Sequence, residues 1–242
     1  MKVISVNDPI LLRVALRVLR EGGVVAFPTE TSYGLGGDWT NPKVHMKVRR
    51  IKQRPQGKPL SVIVASRSMA ERYVVFSPVA RRLARHYWPG PLSLVLPLKR
   101  ASSYVQTTVI PAQAGIQTRK NKNRAGLFVF VSGSRVKPGM TVNSEPRSIP
   151  TLSLRISPHP IAHKLVCGLD KPLIATSANV SGTQALYSAS ATVRAFSGKK
   201  FKPDLVIDGG TLLRRKPSTV VQVNTDGSVR VLRVGSLRLN VQ

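Results

Sequence analysis

The sequence predicts an α/β fold with a mixed sheet flanked by helices. Short apolar runs that are typical of buried strands alternate along the chain with amphipathic stretches at helical spacing. The 242 residues suit one large domain or two small ones, and they are enough to bury a sizeable core. Hydrophobic residues make up 42% of the chain, which excludes a disordered polycation.

The first elements have clear local signals. Asp8 and Pro9 suit the N-cap and the first position of a helix, which the glycines at 22–23 then end. The apolar run at 24–27 predicts a buried strand. It leads into a loop at 28–37 that is rich in hydroxyl groups and glycine.

The remaining elements follow from the same periodicities, with breaks at proline and glycine. We predict further helices at about 42–52, 68–87 (one helix or two), 160–167 and 189–196. We predict further strands at 60–65, 92–98, 152–156, 172–176, 205–207, 219–223 and 229–234.

The stretch at 104–147 does not follow this alternation. It is polar, basic and interrupted by glycine and proline, and it is far longer than the ~4–6 residues of an ordinary connection. Its phrases at 109–117 and 134–141 resemble translated copies of a dispersed bacterial repeat element, and only 127–131 is suited to a strand. We interpret 104–147 as an inserted surface segment within a single domain spanning 1–242. We expect the fold to tolerate it, because loop-closure entropy grows slowly with length.

Positive charge dominates the composition. The chain has 38 lysines and arginines against 10 acidic residues, a formal net charge of +28. Such a charge predicts anionic partners, which include nucleotides, phosphorylated substrates, RNA and anionic membrane surfaces. Aromatic residues make up 5% of the chain, which disfavours a single-strand binder that stacks bases on aromatic rings.

Cysteine content and apolar patterning indicate the compartment. The single cysteine, Cys167, excludes an internal disulfide and fits a reducing environment. The N-terminus has no long apolar stretch that could serve as a signal peptide. The uncharged run at 172–193 has about the length of a membrane span but is rich in Thr, Ser, Asn and Gln. We therefore expect a cytoplasmic protein without membrane association.

A basic cluster follows the predicted helix at 42–52. Lys52, Arg54 and Lys58 place three cations within seven residues at a helix-to-strand junction. Lysine as a point charge and arginine as a fork suit an oligophosphate ligand. Short basic runs are weak motifs, so a solvated basic turn is an equally good interpretation of this cluster alone.

Three hydroxyl-rich loops lie at the ends of predicted strands, at 29–32, 177–182 and 217–219. Sheets of α/β proteins commonly place ligands at such ends. Each loop alone is best interpreted as an ordinary capped turn, but three of them together indicate a shared polar site. Glu30, in the first loop, could orient a bound amine or could cap the loop.

The sequence offers no metal site and no familiar catalytic motif. His159 and His163 have i, i+4 spacing, but prolines flank His159 and no acidic or cysteine ligand is close in sequence. We expect His159 to pack at a helix start, and we identify no metal ligand from the protein. The chain has no Gly-x-Ser-x-Gly elbow, no catalytic-cysteine setting and no Walker-A loop.

Seven segments carry a resemblance to a known family. In order along the chain they read FPTETSYGLG (27–36), KQRP with KPL (52–60), WPGPL (88–92), LRI with HP (154–160), SANVSG (177–182), PSTVV (217–221) and LRVG (232–235). Each segment is weak alone, but seven in this order and spacing, apart from the insertion, are highly specific. The chain resembles the YrdC-type threonylcarbamoyl-AMP synthases.

The resemblance implies a fold, an activity and partners. The family fold is a twisted, mostly parallel mixed sheet flanked by helices, with a basic concave face. Its enzymes are nucleotidyltransferases that convert L-threonine, bicarbonate and ATP, with Mg²⁺, into L-threonylcarbamoyladenylate and pyrophosphate. A downstream threonylcarbamoyl-transferase complex uses the product for the t6A modification of adenosine 37 in tRNA. Because the chain ends soon after residue 235, we expect the short, single-domain bacterial form.

The resemblance also assigns site residues. It implies that L-threonine is bound by Thr29, Arg155 and Ser218. It implies that the ATP site comprises Lys52, Arg54, Thr151, Ser177, Asn179 and Arg233. We expect Lys52 and Arg54 to be the catalytic cations, because this chemistry needs charge to be positioned and neutralised and needs no protein nucleophile.

Three positions depart from the family pattern. Ile63 stands where many members have a histidine that contacts threonine, Ala185 replaces a serine near the adenylate, and Pro217 replaces a glutamate. Short bacterial members share some of this variation, so we do not interpret it as loss of activity.

Two other functions remain open from the sequence. The first is an RNA-binding or ribosome-associated module that uses the basic face, including direct tRNA binding, without catalysis. The second is a carbamoyl-transfer domain that acts on a different acceptor, and the absence of accessory domains in this sequence counts against it.

Overall fold

The computed structural model describes residues 1–55, 58–99 and 150–239. The interpreted insertion at 104–147, with its possible strand at 127–131, lies outside the described residues. Within those ranges the helices are α1 (Leu11–Arg20), α2 (Pro42–Lys52), α3 (Arg67–Glu71), α4 (Pro78–Tyr87), α5 (Pro160–Leu169) and α6 (Ala189–Phe196). Of these helices, none has the length and apolar character needed to cross a bilayer.

The strands in the described ranges lie in two sheets. They are β1 (Lys2–Ser5), β2 (Val25–Pro28), β3 (Tyr33–Gly36), β4 (Val62–Ile63), β5 (Leu92–Pro97), β6 (Thr151–Arg155), β7 (Leu173–Ile174), β8 (Thr176–Ser177), β9 (Leu205–Asp208), β10 (Thr219–Val223) and β11 (Val229–Arg233). One sheet has five strands in the order β1-β9-β2-β3-β8. The other has six in the order β11-β10-β5-β6-β4-β7.

Both sheets are mixed. Strands β1 and β2 run parallel to β9, β10 runs parallel to β5, and β4 runs parallel to β6. The other five pairings between the named strands are antiparallel. The α/β class with flanking helices is therefore confirmed. The expectation of a mostly parallel sheet is corrected to two mixed sheets.

Short connections explain the antiparallel pairs. Residues 29–32 join β2 to β3, and residues 224–228 join β10 to β11. A parallel pair needs a crossover of a dozen or more residues, so segments this short can join only antiparallel neighbours. The second turn contains Gly227 in the left-handed region, with φ of 85°, which glycine adopts without steric cost.

The helix α1 begins later than the sequence predicts. The Asp8 carboxylate accepts a hydrogen bond from the Ile10 N–H at 3.0 Å, so it closes a turn ahead of the helix instead of capping it. The first helical residue is Leu11. A short Asx turn competes here with the expected N-cap.

The helix α2 fixes the positions of two predicted site residues. The side chain of Asn41 accepts from the Lys43 N–H at 3.0 Å, and Pro42 occupies the first helical position. Gln53 ends the helix in the left-handed conformation, with φ of 50°. Lys52 is therefore the last residue on the helix, and Arg54 lies beyond its end.

The predicted strand at 172–176 is two strands in different sheets. Strand β7 pairs with β4 in the six-stranded sheet, whereas β8 pairs with β3 in the five-stranded sheet. The chain passes from one sheet to the other at Ala175, whose N–H donates to the Ser61 carbonyl at 2.8 Å. This crossing brings the edges of both sheets together beside Ser177.

The sequence does not predict β1 or β3. Strand β3 lies within the loop expected at 28–37, where its glycines hide the strand pattern. A Cβ atom on Gly36 would lie 2.2 Å from the carbonyl oxygen of Ile174. Glycine is therefore required at this position, because the backbone at β7 approaches it closely.

Buried hydrophobic side chains from both sheets and from the helices form one continuous core. It includes Phe27 of β2, Leu94 of β5 and Phe196 of α6, all fully buried. Several buried polar residues coincide with predicted site residues, namely Thr29, Lys52, Arg155, Asn179 and Ser218. Burying a polar group is costly unless it is hydrogen bonded, and each of these side chains forms a hydrogen bond with another group of the protein.

Asp204 supports the start of β2, and its replacement tests this part of the fold. Its Oδ2 accepts from the N–H of the fully buried Val24 at 2.7 Å and pairs with Lys47 Nζ at 2.6 Å. We predict that Asp204→Ala lowers the free energy of unfolding by about 1–3 kcal/mol in urea titrations, because a buried donor loses its acceptor. Asp204→Asn keeps an oxygen acceptor and loses only a partly exposed ion pair, so it should cost less than about 1 kcal/mol. Equal losses in the two variants would contradict this assignment.

Candidate active site

A cavity of about 310 Å³ lies between the two sheets. Its walls come from β3 and β8 of one sheet, from β5 and β6 of the other, and from the segments that connect them. The residues that line the cavity are Thr29, Thr31, Ser32, Tyr33, Gly34, Arg54, Pro59, Ser61, Ser93, Arg155, Ala175, Thr176, Ser177, Ala185, Tyr187, Arg215, Pro217, Ser218 and Arg233. Hydroxyl groups and four guanidinium groups dominate this lining, and no carboxylate occurs among the described residues that form it. The cavity is therefore suited to an anionic ligand.

Most of the residues predicted from the resemblance converge on this cavity. Those that line it are Thr29, Arg54, Arg155, Ser177, Ser218 and Arg233. Lys52, Asn179 and Thr151 are not part of the lining. The first two are buried and Thr151 is partly exposed.

Thr29 organises the turn between β2 and β3. Its hydroxyl donates to the Ser32 carbonyl at 2.6 Å and accepts from the N–H groups of Thr31 and Ser32, each at 3.3 Å. These contacts hold the side chain rigidly at the cavity wall, where it is 4% exposed. The hydroxyl loop predicted at 29–32 is thus a closed turn that also faces the site.

Arg155 is held by a buried carboxylate. Its Nε donates to Glu30 Oε1 at 3.0 Å, and the Ser157 hydroxyl donates to Glu30 Oε2 at 2.5 Å. Both charged side chains are 9% exposed. Within the described residues, no group accepts a hydrogen bond from the terminal nitrogens of Arg155, so these nitrogens are available to a ligand. Glu30, whose role the sequence left open, therefore orients Arg155.

Ser218 is hydrogen bonded to a second arginine of the cavity lining, Arg233. Arg233 donates from Nε and Nη2 to the Ser218 carbonyl at 3.1 and 2.8 Å, and from Nη2 to the Ser218 hydroxyl at 3.1 Å. The hydroxyls of Ser218 and Ser93 are 3.0 Å apart. Burial, and to a smaller degree the charge of Arg155, lowers the pKa of Arg233. The two arginines are therefore close enough to repel, and an anion between them would relieve that repulsion.

Lys52 lies behind the cavity wall. Its Nζ donates to the Ser177 carbonyl, to the Asn179 carbonyl at 2.8 Å and to Asn179 Oδ1 at 3.3 Å. The residue is 2% exposed. Burial, with a smaller contribution from Arg54, lowers the pKa of Lys52 to about 8. The predicted catalytic cation thus holds the segment that carries Ser177 against the cavity.

Arg54 enters the cavity from beyond the end of α2. Its Nη2 donates to the Pro59 carbonyl at 2.9 Å. Its Nε is buried and has no hydrogen-bond partner among the described residues. Burial, and then the charge of Arg49, lowers the pKa of Arg54. The guanidinium of Arg54 thus adds positive charge to the cavity wall, which favours an anionic ligand.

Thr151 lies at the far end of the strand that carries Arg155. It begins β6 and pairs with Pro97 of β5. Alternation along the strand puts Thr151 and Arg155 on the same face, about 13 Å apart at ~3.3 Å per residue. A ligand would have to extend along this face to touch both residues.

His159 packs at the start of α5, as the sequence predicts. Its Nδ1 accepts from the Ile161 N–H at 3.3 Å, and burial lowers its pKa. In the part of the chain that the structure describes, no three His, Cys, Asp or Glu side chains lie close enough together to hold a metal ion.

Sequence reasoning missed several lining side chains, among them Ser93, Ser61 and Arg215. Ser93 is 2% exposed on β5, and a lone hydroxyl inside an apolar strand is the signal that could have identified it. Ser61, whose hydroxyl donates to the Ser153 hydroxyl at 3.0 Å, carries a similar signal just before β4. Arg215 belongs to an exposed loop, and its sequence neighbours give no such signal.

Two curated proteins named threonylcarbamoyl-AMP synthase are similar to this chain. The protein from Pyrococcus abyssi is 32% identical over 229 residues, which cover 94% of this chain and 55% of that protein. The protein from Psychromonas ingrahamii is 28% identical over 222 residues, which cover 90% of this chain and 95% of that protein. The chain thus spans about half the length of the first relative and nearly all of the second.

Solved structures have the same fold. The crystal structure of P. abyssi Sua5 complexed with L-threonine matches with a TM-score of 0.73 and 29% identity, over 98% of this chain and 58% of that one. E. coli YciO matches with a TM-score of 0.71 over 99% of this chain and 97% of that one. At 23% identity, YciO supports the fold alone. These matches confirm the predicted α/β architecture.

The family model for Sua5, YciO and YrdC proteins, described as telomere recombination, matches most of the chain. The matched residues are 17–129 and 117–235. They include all seven segments that carry the resemblance in the sequence. The chain therefore belongs to the Sua5/YciO/YrdC family.

Proposed function

We propose that the chain is a threonylcarbamoyl-AMP synthase, which makes L-threonylcarbamoyladenylate and pyrophosphate from L-threonine, bicarbonate and ATP. The observation that carries the proposal is the cavity between the sheets, whose lining combines four guanidinium groups with hydroxyls and has no carboxylate among its described residues. Two relatives that bear this enzyme's name, and a solved relative complexed with L-threonine, support it.

L-Threonine would bind at Thr29, Arg155 and Ser218. Arg155 has its Nε fixed by Glu30 and its terminal nitrogens available, which suits a bidentate contact with a carboxylate. Ser218 presents a hydroxyl already aligned by Arg233, and Thr29 borders the same space. Such a preorganised site orders a small amino acid at low entropic cost.

ATP would occupy the side of the cavity that contains Arg54, Ser177 and Arg233. Arg54 brings a guanidinium in the cavity wall, and Arg233 brings a guanidinium whose positive charge is repelled by that of Arg155. In this proposal Lys52 and Asn179 act from behind Ser177, and Lys52 supplies positive charge to the site through the wall. Thr151 would contact only a nucleotide that extends along β6.

The chemistry needs no protein nucleophile. The free amine of threonine adds to CO₂ from bicarbonate and releases a proton, which gives a carbamate anion. A carbamate oxygen then attacks the α-phosphorus of ATP, a new P–O bond forms, and the bond to pyrophosphate breaks. The arginines would hold carbamate and triphosphate in line and neutralise the leaving pyrophosphate, which are positioning and electrostatic effects.

Mg²⁺ belongs to the substrate in this proposal. Proteins usually bind Mg²⁺ through carboxylates, and the described lining offers hydroxyls and guanidiniums instead. The metal would therefore enter with ATP, held by the phosphate oxygens.

The mixed anhydride product is reactive and calls for a partner that consumes it. A threonylcarbamoyl-transferase complex that modifies tRNA to t6A is the partner that the family resemblance implies. Direct tRNA binding by this chain would use its excess of positive charge.

The proposed reaction predicts amino-acid selectivity. Incubation with MgATP, bicarbonate and each amino acid in turn should release pyrophosphate at least about tenfold faster with L-threonine than with valine, which lacks the hydroxyl. Pyrophosphate is measured with a coupled phosphate assay, and omission of bicarbonate is the control. Salt-sensitive tRNA binding without threonine-dependent pyrophosphate release would instead favour the RNA-binding alternative.

The Glu30–Arg155 pair predicts a specific effect on threonine binding. Glu30→Gln removes the charge that orients the guanidinium, so the KM for threonine should rise at least about tenfold, the loss expected for a charged hydrogen bond. The change in kcat should be smaller, because Arg155 contacts the substrate carboxylate and not the phosphorus.

The matched control is Glu21→Gln, which removes a carboxylate that pairs with Arg17 at 2.9 Å on the exposed surface. It should leave the KM for threonine unchanged. Thermal unfolding of both variants shows whether they are folded at the assay temperature. An unchanged KM in a folded Glu30→Gln variant would refute the assigned role.

The lowered pKa of Lys52 predicts a loss of activity in base. As the pH rises through about 8, the ammonium loses its proton and donates less strongly to the carbonyls that it holds. Pyrophosphate release should therefore fall with an inflection near that pH. The titration of Lys52 itself would not lower stability in this range, so unfolding driven by Lys52 does not explain such a fall. Between about pH 8 and the ordinary lysine value, the unfolded chain binds more protons at this residue, so its contribution to stability rises with pH.

Lys52→Arg separates this titration from that of the substrates, because a guanidinium stays protonated throughout this range. The inflection should disappear in this variant. An inflection at the same pH in wild type and variant would assign it to threonine or bicarbonate instead.

A further inference from the structure

Arg215 stands at the boundary between two cavities. It lines the main cavity, and it also lines a second cavity of about 280 Å³ on the other side of Thr29. The second cavity is formed by Thr29, Glu30, Pro158, His159, Pro160, Leu212, Leu213 and Arg215. The residue itself is exposed. Its guanidinium therefore borders the main cavity on its solvent side.

Arg215 differs from the other three arginines of the main cavity. Arg54 donates to a backbone carbonyl, Arg155 pairs with a carboxylate, and Arg233 donates to Ser218. Arg215 forms no hydrogen bond and no ion pair with any residue in the described ranges. Its five N–H donors are therefore all available to a ligand.

The loop that carries Arg215 is anchored at its base. The Tyr33 hydroxyl accepts from the Gly209 N–H and donates to the Gly210 carbonyl, each at 2.9 Å, and the Leu212 N–H donates to the Tyr187 carbonyl at 2.7 Å. Residues 213–217 beyond this anchor are all exposed. They contain three consecutive cations at 214–216 and no acidic residue.

We propose that Arg215 binds the terminal phosphates of the nucleotide and the pyrophosphate that leaves from them. This proposal rests on the proposed function and adds a contact that the family resemblance does not assign. A guanidinium that lines the cavity and has all of its donors unused suits a ligand with several negative charges, whereas the single carboxylate of threonine is served by the buried Arg155. The position at the solvent side of the cavity also fits a group that must depart into water.

The test measures phosphate binding directly, without turnover. Calorimetric titration at 0.15 M salt gives the Kd of the full chain for ATP, for inorganic pyrophosphate and for AMP. Arg215→Ala should weaken the binding of ATP and of pyrophosphate at least about tenfold, the loss expected for charge-assisted hydrogen bonds. Binding of AMP and of L-threonine should change by less than about twofold, because neither carries terminal phosphates.

Lys216→Ala is the matched control, because it removes the same charge from the same loop without touching either cavity lining. It should change the Kd for pyrophosphate by less than about twofold. An equal loss of pyrophosphate affinity in the two variants would mean that the overall charge of the loop, and not a contact made by Arg215, causes the effect. That result would overturn the proposal. So would an unchanged Kd for pyrophosphate in Arg215→Ala. A wild-type protein that binds pyrophosphate but shows no threonine-dependent turnover would refute the proposed function and leave the Arg215 contact measurable.

Discussion

The buried ammonium of Lys52 is the contact on which the rest of the site depends. Its Nζ bonds carbonyl oxygens of Ser177 and Asn179, and its own carbonyl accepts from the Ser181 N–H at 2.8 Å. The last residue of α2 is thereby bonded in both directions to the segment where the chain has just crossed between the sheets. Backbone oxygens replace the carboxylate that usually accompanies a buried lysine, so the positive charge is solvated but not neutralised. The charge of Lys52 therefore adds to the positive charge of the cavity wall.

Uncompensated charge at the cavity has an energetic consequence. Burial, followed by repulsion from a neighbouring arginine, lowers the pKa values of Lys52, Arg54 and Arg233, so holding these cations in their charged form costs free energy. Glu30 offsets only part of this, since it pairs with Arg155. An anionic ligand that bound in the cavity would relieve the repulsion and would stabilise the folded chain by mass action.

Local sequence signals predicted much of the fold, and their failures have physical causes. The helix at 189–196 and the strand at 219–223 have the predicted bounds, because capping and alternation fix them locally. The division of 172–176 between two sheets depends on partners distant in sequence, so a continuous apolar run could not reveal it. The same holds for the site. Motif order identified several residues that converge on the cavity. The position of Lys52 behind the wall depends on contacts with Ser177 and Asn179, 125 and 127 residues away in sequence, which no local pattern encodes.

The excess of positive charge in the sequence also affects how substrates would reach the site. With 10 acidic residues against 38 basic ones, most cations cannot find a carboxylate. Several bond backbone carbonyls instead, as Arg20 does at Gly168 and Arg49 at Pro55 and Lys58. Contacts of this kind hold the side chain without cancelling its charge, so the positive potential extends beyond the cavity into solvent. Such a field draws anions toward the cleft and raises their rate of association, and salt weakens it over about 8–10 Å at physiological ionic strength. The charge that first indicated an anionic ligand would therefore act mainly on the approach of that ligand, while the arginines that line the cavity would fix its final position.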